Sequence, residues 1–123
     1  MLMRLLLSTN PELPAITDAL KTIKLSENLG KSVSGVVVTR VRDDEHELAI
    51  KNVQHILERP VICIIPEEDS VRESISLRDA VVNTHSKCES SKAYYRLASM
   101  LIGKHYPEEI NYKKSFWQIL FRR

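Results

Sequence analysis

Three short apolar runs, Arg4 to Ser8, Val33 to Thr39 and Val61 to Ile65, are separated by two stretches in which the apolar residues fall at a helical period. Runs of this length without polar alternation fit strands buried on both faces, and the β-branched content of the second and third strengthens that assignment. Between the first two, Ile16, Ala19, Leu20 and Ile23 recur at helical spacing from Pro14 onwards, with Asp18, Lys21 and Lys24 in the gaps and Gly30 as a stop. Between the second and third, Arg40 to Glu47 is charged and loop-like, and Ala49, Ile50, Val53, Ile56 and Leu57 form a stripe that ends before Pro60. Strands of this kind alternating with amphipathic helices predict an α/β fold: a parallel sheet with right-handed crossovers and helices on its faces. Gly35, inside the second strand, marks a close backbone approach.

Pro66 closes the third strand, and Asp69 or Ser70 is placed to cap a short helix bearing Val71, Ile75 and Leu77. Asn83 to Ser90 has no apolar period and reads as a loop. Ser90 or Ser91 then caps a helix whose Ala93, Tyr94, Leu97, Ala98 and Leu101 share a face, with Gly103 just past its end. At 123 residues, one core is the default. A net charge of +2 is too small for a nucleic-acid surface without a clustered stripe of cations. Cys63 and Cys88 form neither a disulfide framework nor a zinc spacing, which fits reduced thiols in a cytoplasm, and His46, His55, His85 and His105 show no metal-ligand spacing. No metal site and no catalytic residue is assigned.

Four stretches in order, Ser8 to Lys21, Gly35 to Val41, Val61 to Pro66, and Ser90 to Tyr94 with its helix ending Leu101-Ile102-Gly103, resemble the C-terminal half of MinD/ParA-type P-loop ATPases, most of all archaeal MinD-like (septum site-determining) proteins. The resemblance implies a partial parallel sheet of a Rossmann-like three-layer P-loop fold, holding the adenine of ATP or ADP and offering a dimer or partner surface. It places Thr39, Arg40, Pro66 and Glu67 on the adenine side. Relatives end the second strand with an Asn-Arg pair, and Thr39 stands where that Asn would be. A hydroxyl replaces an amide that offers a donor and an acceptor side by side, so the base contact is expected to be weaker or rearranged. The residue-level alternative is that Pro66 simply ends a strand. Asp18 is read as structural, an acid favoured near a helix start by the helix dipole.

The family's phosphate chemistry needs a glycine-rich loop with lysines, a switch aspartate and an aspartate ending a buried strand, and none of these can be placed. Gly30-Lys31-Ser32 imitates the end of a P-loop, but Leu25 stands where the earlier glycine belongs, a helix precedes it and a strand follows. The triplet reads as a helix stop and a turn. The chain is therefore not expected to hydrolyse ATP by itself, and Mg is expected only together with the missing half. The resemblance starts in mid-protein, which fits a truncated copy, a start lying upstream or a half-domain working beside an N-terminal-half partner or a second copy. Half a sheet is expected to expose an apolar edge and a bare face.

The expected organisation is an ATPase-like half over residues 1–104, a linker over 105–111 and an amphipathic tail over 112–123. After Glu109 there are only cations among the charged residues. On a helix, Tyr112, Phe116, Trp117, Ile119, Leu120 and Phe121 make an apolar face, with Lys114, Gln118 and Arg122 opposite and Lys113 and Arg123 at the margins. This is the composition of an interfacial helix for anionic lipid, and MinD-like proteins are similar in ending this way. The competing assignment packs Phe116, Trp117 and Leu120 on the sheet. The expected setting is cytoplasmic and peripheral on the inner face of the cell membrane, in cell division or spatial positioning. The rival role is a non-catalytic interaction module without nucleotide.

Overall fold

The computed structural model describes residues 5–103. Its elements run β1 (Leu5–Thr9), α1 (Leu13–Asn28), β2 (Val33–Val41), α2 (Ile50–Leu57), β3 (Val61–Pro66), α3 (Asp69–Ser76), α4 (Val81–Thr84) and α5 (Glu89–Ile102). The three strands form one sheet in the order β1-β2-β3, with both pairings parallel. A parallel neighbour can be reached only by a crossover, and α1 and α2 are those crossovers. The described residues thus form the parallel α/β arrangement that the apolar pattern predicts.

Two apolar layers hold the sheet. On one side Ile16, Ala19 and Ile23 of α1 and Ile50, Val53 and Leu57 of α2 pack on Val33, Val36, Val38, Val61 and Ile64. On the other, Ala93 of α5 packs on Val37, Cys63 and Ile65, flanked by Ile62 and Leu97. Helices therefore cover both faces at β2 and β3. Burial of a side chain such as Ile16 or Val53, neither of which is exposed at all, contributes about 1.5–3 kcal/mol each. β1 departs from the expected two-sided burial: Leu6 is 37% exposed and Ser8 is exposed, because α5 lies on β3 and does not extend over β1. Among the described residues β1 is a sheet edge.

Helix ends explain the turns. Gly30, at φ 78°, donates its N–H to the Glu27 carbonyl at 2.9 Å while Lys31 donates to Ser26 at 2.9 Å, the paired bonds of a Schellman stop. Gly30-Lys31-Ser32 is thus a helix exit leading into β2. Arg59 fastens the same end, donating to the Val33 carbonyl at 2.8 Å and pairing with Glu27. Asp18 lies beyond the first turn of α1, which holds no acid, so the helix dipole does not account for it; it is simply an exposed side chain.

The second half corrects several expectations. α3 takes Glu68 as its N-cap residue, with Asp69 inside its first turn and no side-chain cap, and its Ile75 and Leu77 are exposed. The segment read as a loop, Asn83 to Ser90, overlaps the end of α4 and the first residues of α5; the start of α4 is held by Asp79 accepting from Ala80 N–H (2.7 Å) and from Asn83 Nδ2 (3.0 Å). At α5 the cap is Cys88, whose sulfur accepts from Ser91 N–H at 3.4 Å. Ser90 and Ser91 are inside the helix and fully buried, and their hydroxyls donate outwards: Ser90 to the Pro66 carbonyl (2.8 Å), Ser91 to those of Val81 (3.0 Å) and His85 (2.7 Å). Those bonds set the rotation of α5, so that Ala93 and Arg96 face inwards and Tyr94, Ala98 and Leu101 are exposed.

Register is keyed at Gly35. A Cβ there would meet Ile62 Cγ2 at 2.9 Å, and Ile62 is the extra residue where the β2–β3 register shifts between Val36↔Val61 and Val37↔Cys63. Gly35→Ala is expected to cost about 1–3 kcal/mol in urea unfolding, as overpacking does. Combining it with Ile62→Ala should cost less than the sum of the two single changes.

A candidate nucleotide-side cleft at the strand ends

β2 does not end cleanly. Val38 pairs with Ile64 and Val41 with Pro66, which leaves one residue more on β2 than on β3, a bulge at Thr39-Arg40. Arg40 sits there at φ 57°, a left-handed conformation that costs a non-glycine residue about 1 kcal/mol and that clusters at functional sites. The bulge turns the strand end over the carboxyl edge of the sheet, where open α/β sheets bind ligands. Glu67 closes the gap from the other side, its N–H donating to the Val41 carbonyl at 2.9 Å.

The result is a cleft of about 660 Å³ lined by Thr39, Arg40 and Arg42 from the end of β2, by Ile65 to Glu68, and by Val71, Arg72, Ile75 and Tyr94 from α3 and α5. Thr39, Arg40, Pro66 and Glu67 thus all line one cavity. Thr39 donates its hydroxyl to the Thr9 carbonyl at the long distance of 3.5 Å. Arg42, Glu68, Arg72, Ile75 and Tyr94 were not singled out for this site in the sequence. Arg42 sat in a charged loop, and only the placement of α3 and α5 over the strand ends brings the others in.

Two neighbouring acids are stabilised in different ways. The Glu67 carboxylate lies between Arg42 Nε and Arg40 Nε, the latter 3.5 Å away. The hydrogen bond from Arg42, with the charges of Arg42 and Arg40 behind it, holds it below the usual carboxylate range despite the opposing effect of burial, and Glu67 in turn raises Arg42. For Glu68, burial pushes the carboxyl up, but hydrogen bonds from Ser90, Cys88 and Glu89 outweigh it and its pKa is lowered. It accepts from Ser90 N–H at 2.5 Å, a negative charge on the N-terminal turn of α5. The loop leaving β2 is drawn together by Glu47, which accepts from the N–H groups of Arg42 (2.8 Å) and Asp43 (2.7 Å).

An ATP-binding protein of Methanocaldococcus jannaschii is 34% identical to this chain over 110 residues, 89% of the chain and 42% of that protein. The septum site-determining protein MinD of Thermotoga maritima is 31% identical over 112 residues, 86% of the chain and 41% of that protein. The crystal structure of the Pyrococcus furiosus cell division ATPase MinD superposes with a TM-score of 0.74 at 25% identity, covering 81% of the chain and 42% of that structure. The chain is homologous to MinD-like ATP-binding proteins. It spans about two-fifths of the length of these relatives, in keeping with a match to one half of a MinD-type ATPase. No protein-family model matches the chain.

In this MinD-like chain the turn from β1 into α1, Asn10-Pro11-Glu12, contains no glycine, and Gly30 ends a helix, so neither turn has the form of a phosphate-cradling loop. The linker and the tail residues Lys113, Lys114, Phe116, Trp117, Ile119, Leu120, Phe121, Arg122 and Arg123 lie outside the described residues. Among the described residues no helix is long and apolar enough to cross a membrane.

The lowered Glu68 pKa carries a pH signature. The unfolded carboxyl, near its ordinary value of 4.5, takes up a proton before the folded one does. Its contribution to stability is therefore present above that pH and lost as the pH falls below it. Denaturant unfolding from pH 7 to pH 3 should show wild type more stable than Glu68→Gln near neutrality, with the difference shrinking once the pH passes below the ordinary glutamate range.

Proposed function

We propose that the chain supplies the adenine side of an ATP-binding unit of MinD type, whose phosphate loop and Mg site belong to the N-terminal half of that fold. The cleft at the β2 and β3 ends carries this reading: it brings Thr39, Arg40, Pro66 and Glu67 together with the ring of Tyr94 on the edge of the sheet where α/β folds bind nucleotides. The jannaschii relative is itself an ATP-binding protein. Hydrolysis then depends on residues outside this chain, and the role within the cell is that of a MinD-like protein in division or spatial positioning.

Thr39 is the sensitive point, since its hydroxyl is turned towards the Thr9 carbonyl. Restoring an amide should add one base contact, so Thr39→Asn is expected to tighten adenosine binding by roughly three- to tenfold in calorimetric titration, with guanosine unaffected. Equal affinities for both nucleosides, unchanged by the substitution, would overturn the base-side assignment and leave the non-catalytic interaction module, which the exposed Leu6 edge favours.

In this proposal residues 1–104 form the ATPase-like half, 105–111 a linker, and 112–123 an anionic-membrane contact built on Phe116, Trp117 and Leu120 with the flanking cations. Co-sedimentation with vesicles should rise with their anionic-lipid content and be abolished by Trp117→Glu. Absence of binding by both proteins, or global unfolding by the substitution, assigns the tail to the sheet instead.

A further inference from the structure

The last two turns of α1 carry a surface that the packing of the fold does not use. Ile16, Ala19 and Ile23 turn to the core, whereas Leu25 and Leu29 stay 60% and 71% exposed. They lie one helical turn apart and hence side by side, with the Leu29 N–H donating to the Leu25 carbonyl at 3.1 Å. Lys21 stands one turn before Leu25 in the same row, Lys24 lies in the neighbouring row, and Lys31 follows directly after the Gly30 turn. All three lysines are exposed, and none has an ion pair among the described residues. Glu27, the one acid between Lys21 and Lys31, is taken up by Arg59. Further acids belong elsewhere: Asp18 is about two turns back from Leu25, a helix turn being 3.6 residues, and Glu58 ends the adjoining helix α2.

We infer that this end of α1 is a contact with an anionic lipid surface, in which Leu25 and Leu29 enter the headgroup boundary while Lys21, Lys24 and Lys31 lie along it. A protein partner selects by shape and paired hydrogen bonds. A bilayer asks only for protruding apolar groups with cations beside them, which is what this helix end offers. Its place in the fold agrees. α1 delivers the chain to the start of β2, so Leu29 stands at the edge where the strands begin. α5 covers the other face of the sheet and runs towards that same edge: Ser90 is bonded to the Pro66 carbonyl at the end of β3, Ala93 packs on Cys63 and Ile65, and the exposed Met100 to Ile102 follow. The inference rests on the tail reading for the first attachment and adds an orientation to it. Two contacts set the edge where the strands begin towards the bilayer and leave the Thr39–Glu67 cleft on the far side.

The test is co-sedimentation of the whole chain with vesicles of phosphatidylcholine alone and of an equal mixture with phosphatidylglycerol. It compares wild type with Leu25→Gln/Leu29→Gln, with Lys21→Gln/Lys24→Gln/Lys31→Gln, with Leu13→Gln and with Trp117→Glu. Leu13, 58% exposed at the opposite end of α1, controls for a general change of surface polarity. The leucine pair should weaken binding to the mixed vesicles about tenfold. The lysine variant should lose at least as much at low salt and less at high salt, and Leu13→Gln should bind as wild type does. Because the exchanged side chains are exposed, unfolding midpoints should stay at the wild-type value. Loss in Trp117→Glu alone overturns the α1 contact and leaves the tail reading intact. Loss in the α1 variants with none in Trp117→Glu upholds the α1 contact and removes the tail. A loss in Leu13→Gln equal to that of the leucine pair overturns the α1 contact, and no sedimentation of any form overturns both.

Discussion

Parallel pairing of β2 with both of its neighbours is the constraint on which the rest of this fold depends. Parallel strands cannot be joined by hairpins, so the chain must return across the sheet after each strand, and α1 and α2 make that return over one face. All three strands then end on the same edge. Polypeptide leaving β2 and β3 arrives there side by side, which is why Thr39, Arg40 and Arg42 share a cavity with Pro66, Glu67 and Glu68. The site follows from direction before it follows from chemistry.

The carboxyl edge is held by charges rather than by apolar packing. Glu67 and Glu68 are adjacent in sequence and would repel if both faced the same surroundings. Their partners differ: Glu67 binds back to β2 through Arg40 and Arg42, while Glu68 turns to the N-terminal turn of α5. One dipeptide thereby ties the third strand both to its neighbour in the sheet and to the helix covering the other face. The buried layer beneath is apolar. There Cys63, whose thiol burial pushes up to about 11, is an unreactive packing group that donates weakly to the Ala93 carbonyl at 3.6 Å.

The first half of the fold was legible because each signal was local. Ile16, Ala19 and Ile23 sit at helical spacing, Val36 and Val38 in a β-branched run, and Gly30 directly after the helix it ends. Expectations failed where the deciding partner is remote in sequence. Ser90 and Ser91 have the composition of caps, yet they are buried because carbonyls of Pro66, Val81 and His85 accept from them; of the expected apolar face of α5, Ala93 and Leu97 stay on the sheet while Tyr94, Ala98 and Leu101 are exposed. Leu6 reads as core in a run of leucines, but whether a strand is covered on both sides depends on neighbours that its own sequence does not encode. In the cleft, the β2 and β3 ends were marked by resemblance, whereas Arg72 and Tyr94 enter only through the packing of α3 and α5.

The connections on the two edges of the sheet are unequal in character. On the amino edge, α1 passes to β2 through the tight Gly30 turn and α2 passes to β3 through Glu58-Arg59-Pro60, both fastened by Arg59. On the carboxyl edge, the segment from Arg42 to Ala49 is longer and is gathered mainly by one acid, Glu47. Length and sequence can change there without altering strand register, and Arg42 lies at its root. A change of loop length at the carboxyl edge would therefore move Arg42 and leave the sheet untouched, whereas the same change at the amino edge would break the ties that Arg59 makes.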